Sequence, residues 1–496
     1  MSCLIAAPCS GSGKTLLSLC LAATAHQRRE SLQPFKVGPD YLDAQLLGAA
    51  AGRPCRNLDP LLCGEGWLER SFHWHGSRAD RALVEGVMGL FDGRGAGSEG
   101  SSAAVAALLG LPVVLVVEAS RQAGSVAALV RGFREHGPPP VRLAGVVLNR
   151  VGSERHLALL REALASIAVP LLGVLPPHPA LELPSRHLGL LPARELADLE
   201  ERRRIWAALA EEHLDLEQLW PLLEPPSALA DDGQPREPIA WCLSRLAPPP
   251  APAAAPDSAP PVLAIASDAA FHFRYPEASE LLRALGLEPR SWSPLADVPL
   301  PDDCRGVLLP GGYPELHAEQ LAGSRRSLGS LAAAASRGLP IVAECGGLLL
   351  LGQELLDPQG RGHAMAGVLP FRARRGALSL GYRNAEASVD GLVVRRGERL
   401  TGHEFHRWQL EPLQPVAAVA ARAELWQLEG WGVPRRAEGW TAPNVHASWL
   451  HLHWAGCPVI PSRLAAAAGR GGLPPMSGAS CNPARRAAPR PMSAGD

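Results

Sequence analysis

Residues 3–15 read CLIAAPCSGSGKT: a short apolar run, a turn rich in glycine and serine, then the start of a helix-like stretch. A buried strand that feeds such a loop, with a helix N-terminus behind it, aims backbone N–H groups at one point and makes a seat for phosphate. The loop closes on Gly13, Lys14 and Thr15. Pro8 stands where the G-x-x-x-x-G-K-[ST] pattern has its first glycine, while Ser10, Gly11 and Ser12 keep the loop small. Gly11, Ser12, Gly13, Lys14 and Thr15 are therefore the nucleotide-binding candidates. Lys14 is expected to bridge the β- and γ-phosphates, and the Thr15 hydroxyl to ligate Mg²⁺.

Lysine usage sharpens this reading. Of 48 basic residues only Lys14 and Lys36 are lysine. A chain that relies on arginine elsewhere keeps a compact ammonium where a planar guanidinium would not fit. Lys36 lies in FKVGPDYLD (35–43), at the end of another apolar run, and is assigned to the nucleotide site. In open α/β sheets the carboxyl ends of the strands face the ligand crevice, so Asp40, Tyr41, Leu42 and Asp43 are candidates for holding the phosphoryl acceptor, with Asp40 also a Mg²⁺ candidate. VEGVMGLFDG (84–93) places Glu85 at a strand end, where a metal-binding carboxylate belongs, and Asp92 in the turn beyond it. The bland alternatives are helix caps for Asp40 and Asp43 and a turn residue for Asp92. Asn149 closes LAGVVLN (143–149), where its amide can read the nucleotide base.

Working outward, strand-like runs recur at 3–8, 34–38, 81–89, 112–119, 143–149 and 170–176, separated by helical stretches, the pattern of a parallel, doubly wound sheet. Residues 246–261 (LAPPPAPAAAPDSAPP) are rich in proline and alanine and read as a semi-rigid linker. A second α/β pattern begins at PVLAIASD (261–268) and continues through RGVLLPGG (305–312) and LPIVAEC (339–345). The expected division is a P-loop synthetase domain over 1–200, a helical segment and linker over 201–260, a second domain over 261–460, and a disordered tail over 461–496.

In the second domain AECGG (343–347) is a strand entering a sharp turn and then a helix, the geometry that lifts a nucleophile above a sheet edge. A helix N-terminus is expected to lower the Cys345 thiol pKa, and Gly346 and Gly347 leave room for an acyl group. A nucleophilic thiol needs a base. NVHASWLHLHW (444–454) offers His446, His451 and His453, and their spacing alone does not choose between the last two. Backbone amides of PGGYPELH (310–317) are candidates for an oxyanion hole.

Composition excludes other classes. The chain has 496 residues, is 47% hydrophobic and carries a net charge of −1, which argues against nucleic acid as a partner. The apolar run 103–117 is too short for a membrane span and contains Pro112. The N-terminus lacks a basic region before an apolar one, and ten cysteines without CxxC pairs fit a reducing cytoplasm.

SGSGKT, FKVGPDYLD, EGVMGLFDG, NRVGSERH, DAAFHFRYPE (268–277), LLPGGYPELHAEQLA (308–322), AECGG and SWLHLHW, in this order, resemble the cobyrinic acid a,c-diamide synthase family over roughly residues 2–460. The resemblance implies an N-terminal domain similar to dethiobiotin synthetase and a flavodoxin-like class I glutamine amidotransferase domain. It further implies ATP, Mg²⁺, L-glutamine and cobyrinate or hydrogenobyrinate as partners, and leaves room for a homodimer. By motif, Cys345 resembles the glutaminase nucleophile and His451 its activating base. Ordinary class I amidotransferases follow the histidine with a glutamate two residues on; here that position is His453, and Trp449 replaces the motif's usual tyrosine. A partitioning ATPase of the P-loop type is the rival from another class, but it leaves AECGG and SWLHLHW unexplained and generally has a lysine early in the loop, where this chain has Cys9.

Overall fold

The computed structural model describes residues 2–181, 198–246, 259–413 and 422–470, with the short pairs 185–186 and 189–190. The chain divides into two units, Met1–Pro249 with Phe273–Ala284, and Pro250–His272 with Leu285–Asp496.

The first unit is built on seven strands: β1 (Cys3–Ala6), β2 (Leu32–Val37), β3 (Arg56–Leu58), β4 (Arg81–Glu85), β5 (Val113–Glu118), β6 (Leu143–Asn149) and β7 (Leu171–Leu175). They lie in the order β3-β2-β4-β1-β5-β6-β7, all parallel. Burial on both faces explains the near-continuous apolar sequence of the central strands. In β1, Cys3 and Ile5 join one hydrophobic cluster and Leu4 and Ala6 the other, so alternate side chains serve opposite layers of helices. Six of the seven strands coincide with the runs read from sequence; β3, only three residues long, carries no such signal.

The composition-based boundary at 200 does not coincide with the packing. Helix Leu199–His213 lies in the core of the first unit: Trp206 is fully buried among Leu17, Leu21 and Leu214, and its indole donates to Ala180 O at 2.9 Å. Pro238–Ser244 is also helical. Most of the expected linker, residues 247–258, lies outside the described residues.

In the second unit Glu288–Trp292, Val262–Ala266, Cys304–Leu309, Ile341–Glu344 and Val445–Ser448 are adjacent and parallel in that order. Numbered along the chain this is 2-1-3-4-5, the flavodoxin-like winding. Antiparallel strands extend the sheet, including the long pair Phe371–Ala387 and Arg399–Pro412. That pair is partly exposed and mixed in polarity, so it lacks the apolar run that announces a buried strand. The tail expected from 461 is corrected over its first ten residues: Val459–Arg470 is a helix with Leu464, Ala467 and Ala468 buried. Residues 471–496 lie outside the described residues. Among the described residues no helix is long and apolar enough to cross a membrane.

Trp206→Ala should cost the first unit about 3–5 kcal/mol, the range for emptying a buried tryptophan site. Urea unfolding followed by tryptophan fluorescence measures it; a loss under about 1 kcal/mol would contradict the placement of this helix in the core.

Candidate active sites

The parallel sheet of the first unit brings Lys14, Thr15, Lys36 and Glu85 to one corner. Gly11 and Gly13 have φ of 82° and 111°, values open to glycine, and a Cβ on Gly13 would lie 2.5 Å from Asn149 Nδ2. The same Nδ2 donates to Ser12 O at 3.0 Å. Asn149 is therefore engaged with the loop itself through the amide that sequence reasoning assigned to the base. Lys14 Nζ donates to Met88 O at 2.6 Å, and burial followed by the nearby Lys36 charge lowers its pKa.

Lys36 is buried at the centre of this corner. Its Nζ donates to Glu85 Oε1 at 2.6 Å and to Asp43 Oδ2 at 2.7 Å. Burial alone would depress the ammonium, but Asp43 and Glu85 outweigh it and hold its pKa well above the ordinary value. Thr15 Oγ1 donates to the same Glu85 oxygen at 3.0 Å. Asp40 Oδ1 accepts the Asp43 backbone N–H at 3.0 Å, and burial together with the Asp43 charge pushes its carboxyl up to about 7. Tyr41 stacks on Phe273, their ring centroids 5.3 Å apart, and Leu42 begins the next helix. Asp92 Oδ2 accepts Gly89 N–H at 2.8 Å and so closes its own turn.

These residues suit Mg²⁺. Glu85 Oε2 is buried and has no hydrogen-bond partner among the described residues, and the Thr15 hydroxyl lies against the other oxygen. No group of three or more His, Cys, Asp or Glu side chains that could hold a metal occurs among the described residues.

In the second unit Glu344 ends its strand and Cys345 starts the helix Gly346–Leu351 with φ 46° and ψ −108°. A non-glycine residue with positive φ is strained, and such strain gathers at functional sites. The turn admits no bulk behind the thiol: a Cβ on Gly347 would lie 2.1 Å from Leu309 O, and one on Gly346 2.8 Å from Gly312 N. The expected lowering of the thiol pKa is corrected. Burial first, then the Glu315 charge, pushes Cys345 up, so the resting group is a neutral thiol.

Backbone bonds bring the histidine run to this thiol. Cys345 N–H donates to Ser448 O at 2.8 Å. His451 exchanges both main-chain bonds with His403, at 2.8 and 3.0 Å, and Cys345 Sγ lies 3.8 Å from the carbonyl oxygen of Phe405, two residues beyond His403. Burial, then the charges of His403 and His406, lowers His451 to about 3, leaving a neutral imidazole able to accept a proton. His446 lies in the strand Val445–Ser448, ahead of His451, with its ring edge-on to Trp426, and His453 is buried two residues past His451.

Several neighbours were not found by sequence reasoning. Glu404 is fully buried and accepts from Arg383, Arg436 and Ser379. His406 stacks on Trp449, with centroids 4.0 Å apart. Glu438 accepts from Ser448 Oγ at 2.7 Å and Trp449 N–H at 2.8 Å, and burial pushes its carboxyl up to about 7. The one available signal was HEFH (403–406), three ionisable residues within four positions. An open cleft of about 610 Å³ adjoins this corner, lined among others by His406, Trp408, Arg436, Glu438, Trp440 and Trp449.

A strained thiol turn bonded to a histidine-bearing segment, on a chain that also carries a glycine-bent loop ahead of a helix, is the arrangement expected of a glutamine-dependent amidotransferase joined to a nucleotide-binding domain. Family models agree: a CobB/CobQ-like glutamine amidotransferase domain matches residues 262–458, and a CobQ/CobB/MinD/ParA nucleotide binding domain matches 3–191. The chain is 44% identical to a cobyrinate a,c-diamide synthase of Gloeobacter violaceus, over 92% of this chain and 94% of that one. It is 43% identical to a hydrogenobyrinate a,c-diamide synthase of Streptomyces coelicolor, over 92% and 96%. The chain belongs to the cobyrinate and hydrogenobyrinate a,c-diamide synthase family.

Glu438 allows a test of the buried carboxylates. Its raised pKa means that its contribution to stability is full below the unfolded value near 4.5 and is lost as pH rises toward about 7. Relative to Glu438→Gln, the unsubstituted chain should therefore lose stability over that window, by at most about 1.4 kcal/mol per pH unit. Urea midpoints of both proteins across pH 4.5–7 check this, and a constant difference would show that the carboxyl is not held neutral.

Proposed function

We propose that the chain amidates the a and c acetate side chains of cobyrinate, or of its cobalt-free counterpart hydrogenobyrinate, using ATP and glutamine. The reading is supported most directly by a strained turn at Cys345 whose amide bonds to Ser448, three residues before His451, in a chain whose other unit carries Gly13, Lys14 and Thr15 in a glycine-bent loop.

In the glutaminase half, His451 takes the thiol proton as Cys345 sulfur attacks the glutamine side-chain carbonyl. The carbon–nitrogen bond breaks, and the departing nitrogen takes the proton from His451 and leaves as ammonia. Water then hydrolyses the thioester to glutamate and restores the thiol. In the synthetase half, a corrin carboxylate attacks the γ-phosphorus of ATP, giving an acyl phosphate and ADP. Ammonia attacks the acyl carbon, phosphate leaves, and an amide remains; two rounds give the diamide. Catalysis of phosphoryl transfer rests on positioning and charge neutralisation. Lys14 supplies a cation to the β/γ-phosphates, and the loop amides from Gly11 to Thr15 cradle them. Lys36 fixes the Glu85 and Asp43 carboxylates, and Asp40, Tyr41, Leu42 and Asp43 border the acceptor. Thr15 and Glu85, with Asp40 and Asp92 as further candidates, would hold Mg²⁺, which neutralises phosphate charge when bound.

Two substitutions separate the halves. Cys345→Ala should abolish glutamine-dependent amidation while synthesis from high ammonium persists; survival of glutamine use would remove Cys345 from the reaction. Lys14→Ala should lower synthesis from both nitrogen sources by on the order of 10²–10³-fold, and a normal rate with either would refute the phosphate-loop assignment. Mass spectrometry of products from cobyrinate and hydrogenobyrinate, counting the mass change per amide, decides which corrin is taken.

A further inference from the structure

We infer that Phe273, Tyr275 and Arg56 are positioning residues for the phosphoryl acceptor, holding the loop at residues 38–43 from a segment that lies in sequence within the second unit. The chain enters the first unit at Phe273 and leaves it after Ala284. This stretch holds the second half of DAAFHFRYPE (268–277), a run that the reaction steps leave without a role, and the helix Pro276–Ala284. In the first unit it meets Tyr41. The Tyr41 ring lies nearly parallel to that of Phe273, at 4° with centroids 5.3 Å apart, and its centroid is 4.6 Å from that of Tyr275. All three rings are buried, so the cluster is a backing for the loop.

The short edge strand β3 joins the same two parts a second time. Arg56 Nη1 donates to Glu277 Oε1 at 3.1 Å and to Glu280 Oε2 at 2.8 Å, while Nη2 donates to Glu280 Oε1 at 2.7 Å. Two nitrogens on one carboxylate form a fork that fixes direction as well as distance. Next along the strand, Asn57 Nδ2 donates to Gly38 O at 2.8 Å and to Asp40 O at 2.9 Å. Adjacent residues of one strand therefore grip the inserted helix and the acceptor loop. Arg56 and Glu277 are buried, and a buried charge that loses its partner is costly, so these ion pairs hold the helix to β3. Within the loop, Asp40 Oδ1 accepts Asp43 N–H at 3.0 Å, and Asp43 Oδ2 accepts Lys36 Nζ at 2.7 Å. A displacement of Tyr41 is thus passed to the carboxylates on either side of it.

The inference rests on the reading that residues 40–43 border the acceptor. It is tested in the full-length chain by ammonia-dependent amidation of cobyrinate or hydrogenobyrinate, whichever is turned over, with KM for the corrin and for ATP measured separately and glutaminase activity as the check on the second unit. Phe273→Leu keeps apolar bulk and removes the stack. It should raise KM for the corrin by about 2–10-fold, the worth of one aromatic pair, with KM for ATP and glutaminase activity unchanged. Arg56→Gln should raise the corrin KM further, and Arg56→Lys, which keeps the charge without the fork, should fall between Arg56→Gln and the unsubstituted chain. A loss of folded protein lowers the rate of every reaction and leaves KM alone, so the corrin KM is the quantity that a merely structural role would not move. Phe273→Leu keeps the question open to measurement if Arg56→Gln does not fold. An unchanged corrin KM in Phe273→Leu, or an equal rise in the KM for ATP, would overturn the positioning role. Unchanged kinetics toward the corrin in Asp40→Asn would instead overturn the acceptor site itself.

Discussion

Four parallel register pairs, from Ile341↔Val445 to Glu344↔Ser448, bring together two segments that lie far apart in sequence. Neither segment is a site alone. The first supplies a strained thiol turn; the second supplies a histidine run whose ring positions are undecided by sequence. Once the two strands are paired, the main chain fixes which part of the run reaches the thiol, because Cys345 N–H takes the Ser448 carbonyl and the chain must then turn through His451. Room behind Cys345 is limited from the other neighbouring strand, where Leu309 and the Gly312–Pro314 stretch leave Gly346 and Gly347 no space for a side chain.

The first unit solves a different problem, concentrating negative charge near a phosphate seat without mutual repulsion. Lys36 does this with one ammonium bonded to Glu85 and Asp43. Burying such charges is unfavourable unless each is paired, and here the pairing uses one Glu85 oxygen and leaves Oε2 without a hydrogen-bond partner among the described residues. A guanidinium is broad and planar and would demand a wider gap between β2 and β4, where Lys36 and Glu85 are direct register partners. The chain's avoidance of lysine elsewhere is thus informative about geometry at both lysines.

Much of this was legible in the sequence because it depends on local chemistry. CLIAAPCSGSGKT dictates strand, loop and helix; AECGG dictates a turn; the apolar runs dictate parallel strands. What escaped depends on packing across long separations. Trp206 gives no hint in LEERRRIWAALAEEH that its helix seals the first unit, since the stretch is dominated by charge. Asn149 ends a strand as expected, yet its partner, Ser12, lies at the far side of the sequence. Glu438 reads as an ordinary strand residue, and only the folded register shows that it accepts from Ser448 and Trp449 of the histidine run.

An ordinary triad carboxylate does two things through one contact: it orients the imidazole and it stabilises the imidazolium that forms. Here that position is His453, and the main chain of His451 is held by its two bonds to His403. The charge of Glu404, which bonds to Arg383 and Arg436, opposes the effect of burial on His451. Burial pushes the Cys345 thiol up and the His451 imidazole down, so both groups favour their neutral forms. A nucleophile kept neutral in this way is slow toward water and oxidants, because the thiolate is the reactive form.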